Sequence, residues 1–288
     1  MKFNRNYRLT IDLNDGGQAI VIDPPFTIDF SIQRTAMSQL NHMNLTIFNL
    51  AEKTRQRIFQ DRYRIGNYKS VILEAGYGDS LSTLYKGSIF EAHSELVGTD
   101  IRTNINSRDG FLDIASAQSN KTFEAGTTLR DLVGGLTDDF ANIDRGAIGG
   151  DDYVFQRPVT VEGNTYDNLK TYTRNNVFVD LQRINVLNEN QVTDDPVFLI
   201  NADTGLLETP RREESFLTLT TLFEPRINMG QEVKLESAIT PVYNGAYKVI
   251  GVSHMGTISE AVGGTLVSKF NLLLGAQLFG RFEQVGTE

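Results

Sequence analysis

Val71 to Tyr85 reads VILEAGYGDSLSTLY, and Val233 to Tyr247 reads VKLESAITPVYNGAY. Laid over each other without a gap, from 71 to 233 and so at an offset of 162, they share Val71/Val233, Leu73/Leu235, Glu74/Glu236 and Tyr85/Tyr247, followed by Lys86/Lys248. Upstream, after a shift of two residues, Phe59-x-x-Arg62-x-x-Ile65-Gly66 lies over Phe223-x-x-Arg226-x-x-Met229-Gly230, and LTIFNL (45–50) matches LTLTTL (217–222). Strands draw on a small alphabet of Val, Ile, Leu, Thr and Tyr, so some coincidences arise from composition alone. Fixed-offset similarity is nevertheless the mark of a repeated unit. Each stretch has the grammar of a small β-meander: an apolar strand, a turn ending in Gly, a period-2 strand, a polar loop and a return strand.

The surrounding sequence supports a mainly β chain. FNRNYRLTIDL (3–13) and QAIVID (18–23) flank Asn14-Asp15-Gly16-Gly17, a hairpin signal of the Asp-Gly type that Pro24-Pro25 then closes. FTIDFSIQR (26–34) alternates cleanly, with Phe26, Ile28, Phe30 and Ile32 on one face. Further strands are expected over 41–50 and 99–110. Between them AEKTRQRIFQ (51–60) should form a short helix with Ala51, Arg55, Ile58 and Phe59 near one face.

After Asp109-Gly110 the composition changes. FLDIASAQSNKTFEAG (111–126) reads as strand and turn. Thr127 or Thr128 can cap a helix whose Leu129, Leu132, Val133 and Leu136 form an apolar stripe, and a second helix is expected over 166–174. Between them GAIGGDD (146–152) reads as a loop and RPVTVEG as a short strand. Strands resume over 177–187, 197–200 and 265–274, and the tail 275–288 carries Phe279 and Phe282 without periodicity. The domain reading is a first β-barrel over 1–108, an inserted α+β module over 109–176, a second β-barrel over 177–274 and an extension over 275–288.

The chain has 288 residues, 40% of them apolar, enough for two domains or one large one. No apolar run is long enough to span a membrane, and MKFNRNYRLT lacks the apolar core of a secretory signal, so the chain is expected to stay where it is made. With no cysteine, disulfides, thiolate catalysis and Cys-ligated zinc are excluded. A formal charge of −9 argues against a phosphate-gripping surface.

Candidates for chemistry are thin. His42, His93 and His254 show no metal-ligand spacing, and each reads as structural. No G-x-S-x-G elbow or Walker loop is present. Gly76-Tyr77-Gly78-Asp79 lacks the Gly, Lys and helix of a phosphate loop and reads as a β-turn. Asp138-Asp139 and Gly149-Gly150-Asp151-Asp152 lack the alternating oxygen spacing of a calcium loop. Paired carboxylates for glycoside hydrolysis converge only in space, but a chain without Trp is a poor sugar binder. Lys53 with Arg55-x-Arg57, and Arg211-Arg212 before Glu213-Glu214, read as solvated charge or as contacts to acidic surfaces of neighbouring subunits. No catalytic, cofactor-binding or metal residue is assigned.

Taken in order, FSIQRTAMSQLNHMNLTIFNLAEKTRQRIF, VILEAGYGD with YKGSI, TFEAGTTLRDLV, VFVDLQRINVL and TGLLETPRREESFLTLTTLFEPRINMGQEVKLES resemble baseplate hub proteins of contractile-tailed bacteriophages. Asn49-Leu50-Ala51, Thr54-Arg55, Ala75-Gly76-Tyr77, Gly205 to Pro210 and Leu222 to Pro225 carry the likeness, which covers most of 26–255. The resemblance implies two tail-tube-like β-barrels split by an α+β insertion. It also implies a non-enzymatic homotrimer with pseudo-sixfold symmetry, set between a hexameric tail tube or tube initiator and a trimeric central spike. Baseplate wedge proteins are further partners, and DNA crosses only in transit, past acidic walls that do not hold it. The expected location is the virion baseplate, assembled in the host cytoplasm without stable membrane association. The rival readings are a tail-borne peptidoglycan hydrolase and the equivalent hub of a pyocin or siphophage-type tail.

Overall fold

Period-2 burial builds most of the molecule. The structure is a computed structural model that describes residues 4–36, 40–63, 68–149 and 153–274. Its first third comprises β1 (Arg5–Asp12), β2 (Ile20–Ile22), β3 (Ile28–Thr35), β4 (His42–Phe48), helix α1 (Glu52–Ile58), β5 (Ser70–Tyr77), β6 (Ser80–Val97) and β7 (Asp100–Arg108). The middle holds α2 (Phe111–Ser116), β8 (Gln118–Phe123), α3 (Leu129–Thr137), β9 (Asp144–Ile148), β10 (Val159–Asn164), α4 (Thr165–Tyr172), β11 (Val177–Asp180) and β12 (Arg183–Val186). The last third comprises β13 (Phe198–Ile200), β14 (Arg211–Glu213), β15 (Phe216–Leu222), β16 (Glu232–Leu235), β17 (Gly245–Ile258) and β18 (Leu266–Leu273).

The first and last thirds form one 13-stranded sheet, ordered β14-β15-β18-β17-β3-β4-β7-β6-β5-β1-β2, with β16 also on β17 and β13 on β16. Within it lie two apolar cores. Alternate residues of β1, β3, β4 and β5 (Leu9, Ile11, Ile28, Ile32, Leu45, Leu73) make the first. Those of β15 to β18 (Leu217, Leu219, Val233, Leu235, Val249, Phe270) make the second. Burying such a side chain is worth about 1.5–3 kcal/mol, so the alternation itself fixes which face of each strand turns inward.

Five strands of one half repeat the neighbour order of five strands of the other: β3-β4-β7-β6-β5 and β14-β15-β18-β17-β16. Each half has a long strand with a single-residue bulge against its return strand, at Phe90 in β6 and at Ile250 in β17. Counting from these bulges corrects the ungapped match. Val71 faces Gly87 and Val233 faces Tyr247, so Val71/Val233 and Leu73/Leu235 share rungs, but Tyr85/Tyr247 and Lys86/Lys248 are two residues out. The LTIFNL/LTLTTL match is also two out, because Asn106 pairs with Asn44 and its counterpart Asn271 pairs with Thr218. An even slip keeps every side chain on its own face, which is why the patterns match at the wrong register. Phe59, 57% exposed, shares nothing with the fully buried Phe223, and Ile65 and Gly66 lie outside the described residues.

Other expectations are met or amended locally. The Asp-Gly hairpin joins β1 to β2, and Thr128 caps α3 by accepting from the Asp131 amide. In α1 only Ile58 is buried, not the four-residue face expected. Phe111–Ser116 is a helix rather than a strand; buried Asp113 anchors it by accepting from the amides of Ala141 and Asn142. Gly146 to Ile148 belong to β9 rather than a loop, while 150–152 lie outside the described residues. Residues 177–187 form two strands, and β12 pairs in parallel with β9, so this opening stretch of the expected second barrel joins the sheet of the middle module instead. Val177, Val179, Ile184 and Val186 pack in that module's own core with Leu132, Val133 and Leu136. The tail 275–288 lies outside the described residues.

Candidate functional site

The three parts meet at a buried polar junction. Arg34, the residue after Ile32 on the inward face of β3, forks onto Asp180 at the end of β11, with Nε donating to Oδ1 at 2.8 Å and Nη2 to Oδ2 at 2.7 Å. Nη2 also donates to Asn228 Oδ1 at 2.9 Å and Nη1 to the Leu84 carbonyl at 3.2 Å. Asn41 donates to Asp180 Oδ1 and to the Val179 carbonyl and accepts from the Thr35 amide. One guanidinium thus ties the first unit, the middle module and the second unit together through charge-assisted bonds. Asp109 sits alongside, its carboxylate accepting from the Gln182 amide at 3.1 Å. Burial, and then the nearby Asp180 charge, push its pKa up to about 7.

None of Arg34, Asn41, Asp109 and Asp180 was read from the sequence as part of a site, Asp109 entering only as a domain boundary. The available signal was Arg34 itself, a charge where the Ile28, Phe30, Ile32 alternation calls for an apolar residue. A cavity of about 610 Å³ opens beside the junction, where Lys86, Arg145 and Arg183 face Asp180, Asp194 and Asp195. Cations and carboxylates are balanced there.

The sequence candidates do not converge. His42 and His93 lie on β4 and β6, and His254 is fully buried on β17. Ser268 Oγ accepts from the Glu224 amide and lies 2.8 Å from His254 Nδ1, to which it can donate. Burial, with Arg34 adding repulsion, lowers the His254 pKa to about 3, so the ring stays neutral. Asp138 pairs with Arg145 and Asp139 with Lys121, each at 2.6 Å, so the acidic pair is taken up by the chain's own cations. Gly76 and Tyr77 face Leu81 and Ser80, making Gly78-Asp79 a two-residue turn. Arg55 Nε caps the Leu50 carbonyl. Among the described residues no group of three or more His, Asp or Glu could hold a metal, and no helix is long and apolar enough to cross a membrane.

What the fold leaves open is backbone. Among the described residues, the His93–Val97 end of β6 pairs with β7 on one side, and the other side is bridged only as far as Ala92, by Gln60. At the far end of the sheet β14 pairs, among the described residues, with β15 alone, and its three residues are exposed. Unpaired edges invite another strand.

A family model described as baseplate hub gp41 matches residues 7–254. The chain belongs to that family. It is a structural component of a phage tail baseplate. No curated protein matches it. Among solved structures, the 43 kDa tail protein of prophage MuSo2 from Shewanella oneidensis is similar at TM-score 0.62 and 10% identity, over 94% of this hub chain and 97% of that one. A tail protein from Neisseria meningitidis MC58 gives 0.63 at 10% identity with the same coverage. The Francisella PdpA-VgrG complex, lidded, gives 0.52 at 8% identity over 94% of the hub chain and 53% of its own. At these identities the likeness concerns the fold.

Proposed function

We propose that this hub chain is a non-enzymatic adaptor, three copies of which close into a ring with pseudo-sixfold character. The ring joins a hexameric tail tube, or its initiator, to a trimeric central spike, contacts the baseplate wedge proteins, and encloses the channel through which DNA leaves. The observation that carries the reading is the repeated strand order in one chain. A ring of three such chains presents six similar sets of strands, and closed cyclic symmetry needs one kind of contact to recur. Internal duplication of one β unit is the simplest source of that repetition, with 109–176 extended by β11 and β12 as the insertion between the copies. A net charge of −9 suits a bore that DNA crosses without being held. Assembly takes place in the host cytoplasm and the mature site is the virion baseplate.

Native mass measurement of the purified chain, with and without its tube and spike partners, tests this. A trimer, imaged end-on as a ring with six similar lobes, is the expected result. A chain that stays monomeric at high concentration and with both partners present would overturn it.

A further inference from the structure

The first and second β units are already joined once inside the chain, and the same joint is left unmade on the other side. β3 lies along β17 with Ser31 opposite Met255, Ile32 opposite His254 and Gln33 opposite Ser253. Counting from the bulges at Phe90 and Ile250, residues 253, 254 and 255 of β17 correspond to His93, Ser94 and Glu95 of β6. Ser31, Ile32 and Gln33 pair with Asn44, Met43 and His42 of β4. The counterparts of those three on β15 are Thr218, Leu217 and Phe216, whose partners are Arg211, Arg212 and Glu213 of β14. The strand equivalent to β3 is therefore β14, and the edge equivalent to the one β3 covers is the open end of β6. Residues 253–257 of β17 are half-buried or buried beneath β3, whereas 93–97 of β6 are all exposed.

We propose that the β14 edge of one copy pairs antiparallel with the His93–Val97 edge of β6 in a second copy, Arg211 opposite Glu95, Arg212 opposite Ser94 and Glu213 opposite His93. The inference rests on the ring reading above and specifies its contact. Three independent features fit the register. Both outer pairs set a guanidinium or an imidazole against a carboxylate, a polar match that directly opposed positions favour. The backbone polarity also matches. Gln60 and Ala92 exchange both their bonds, so by alternation Ser94 and Leu96 present N–H and C=O to the open edge. The bonds from Leu222 N to Gly205 O and from Leu207 N to Thr220 O turn Thr218 and Phe216 towards β14 and leave Arg212 facing outward. Lastly, Leu207, 50% exposed on the lead-in to β14, falls beside Val97, 38% exposed, next to Leu96 at 72%. Each chain then supplies one internal and one external joint of the same kind.

The native sequence has no cysteine, so introduced ones report cleanly. In the double variant Glu95→Cys/Arg211→Cys, mild oxidation should give covalent multimers ending at a closed trimer. Val97→Cys/Arg211→Cys, two residues out of register, should link far less. Glu95→Arg should weaken self-association by about two- to fivefold, the scale of one cross-strand pair, and Arg211→Glu in the same chain should restore it. A native trimer whose Glu95→Cys/Arg211→Cys form does not cross-link would overturn the pairing and leave the ring standing. A chain that is monomeric throughout would overturn both.

Discussion

β17 and β6 hold the same place in two matching strand orders, in different settings. Each is long and bulged at the same place against its return strand, yet β17 is covered along Gly251–Ile258 by β3 whereas β6 beyond Ala92 is, among the described residues, bare on that side. The difference lies in what precedes each unit rather than in the strands themselves. β3 is an eight-residue amphipathic strand with a buried guanidinium at its end, and β14 has three exposed residues. One joint is made within the chain and locked by Arg34; the other is short and polar, as suits a contact made only on assembly.

The largest effect should come from the lock. Arg34→Ala strands Asp180 without its partner, and breaking a buried pair in this way costs about 3–5 kcal/mol. Urea unfolding of the purified chain measures it. In the second unit Arg226→Ala removes a pair with Glu224 from a half-exposed guanidinium and should cost about 1 kcal/mol or less. Equal losses would mean the two halves are not held differently.

Leu73→Ala and Leu235→Ala test the repetition itself. Both residues are fully buried on matching rungs, so each should cost about 2–5 kcal/mol, and by similar amounts. A loss confined to one of them would argue that the shared strand order does not extend to packing.

A smaller, pH-dependent effect should follow from Asp109. Its folded pKa of about 7 lies above the ordinary carboxylate value, so its protonated form favours the fold. That contribution is complete below about pH 4 and is lost as pH rises to about 7. Relative to Asp109→Asn, the native chain should therefore lose stability across that window. His254, held near 3, acts in the opposite sense, losing stability as pH falls from about 6.5. His254→Gln should flatten that acid limb. Because the windows overlap with opposite signs, only the variants separate them. Least of all, Leu96→Ala should change the stability of the monomer by no more than about 0.5 kcal/mol, since it removes an exposed side chain.

Where one local signal dominated, the sequence was legible: the alternation of β3, the Asp-Gly turn between β1 and β2, and the Thr128 cap. The Leu181-Gln182 turn was not, because both residues take positive φ (52° and 58°) where Asn-Gly is the usual choice. That conformation costs non-glycine residues about 1–2 kcal/mol each, and Asp109 from another part of the chain helps hold it. α2 was missed because six residues show too little periodicity to separate helix from strand. The two-residue slip in the repeat could not be read either: twelve residues separate Leu73 from its partner Tyr85 and ten separate Leu235 from Gly245, and an even difference leaves the alternation in phase. Of the assembly site, the Arg211 to Glu214 cluster was visible as charge, but its counterpart at His93 to Val97 emerges only once β3 is seen lying on β17.

The most direct test is amide exchange read at single residues in the dilute and the assembled chain. His254 and Gly256, beneath β3, should be protected in both, whereas Ser94 and Leu96 should exchange freely when dilute and become protected on assembly. Assembly that leaves Ser94 and Leu96 exchanging freely would mean that copies of this chain meet elsewhere.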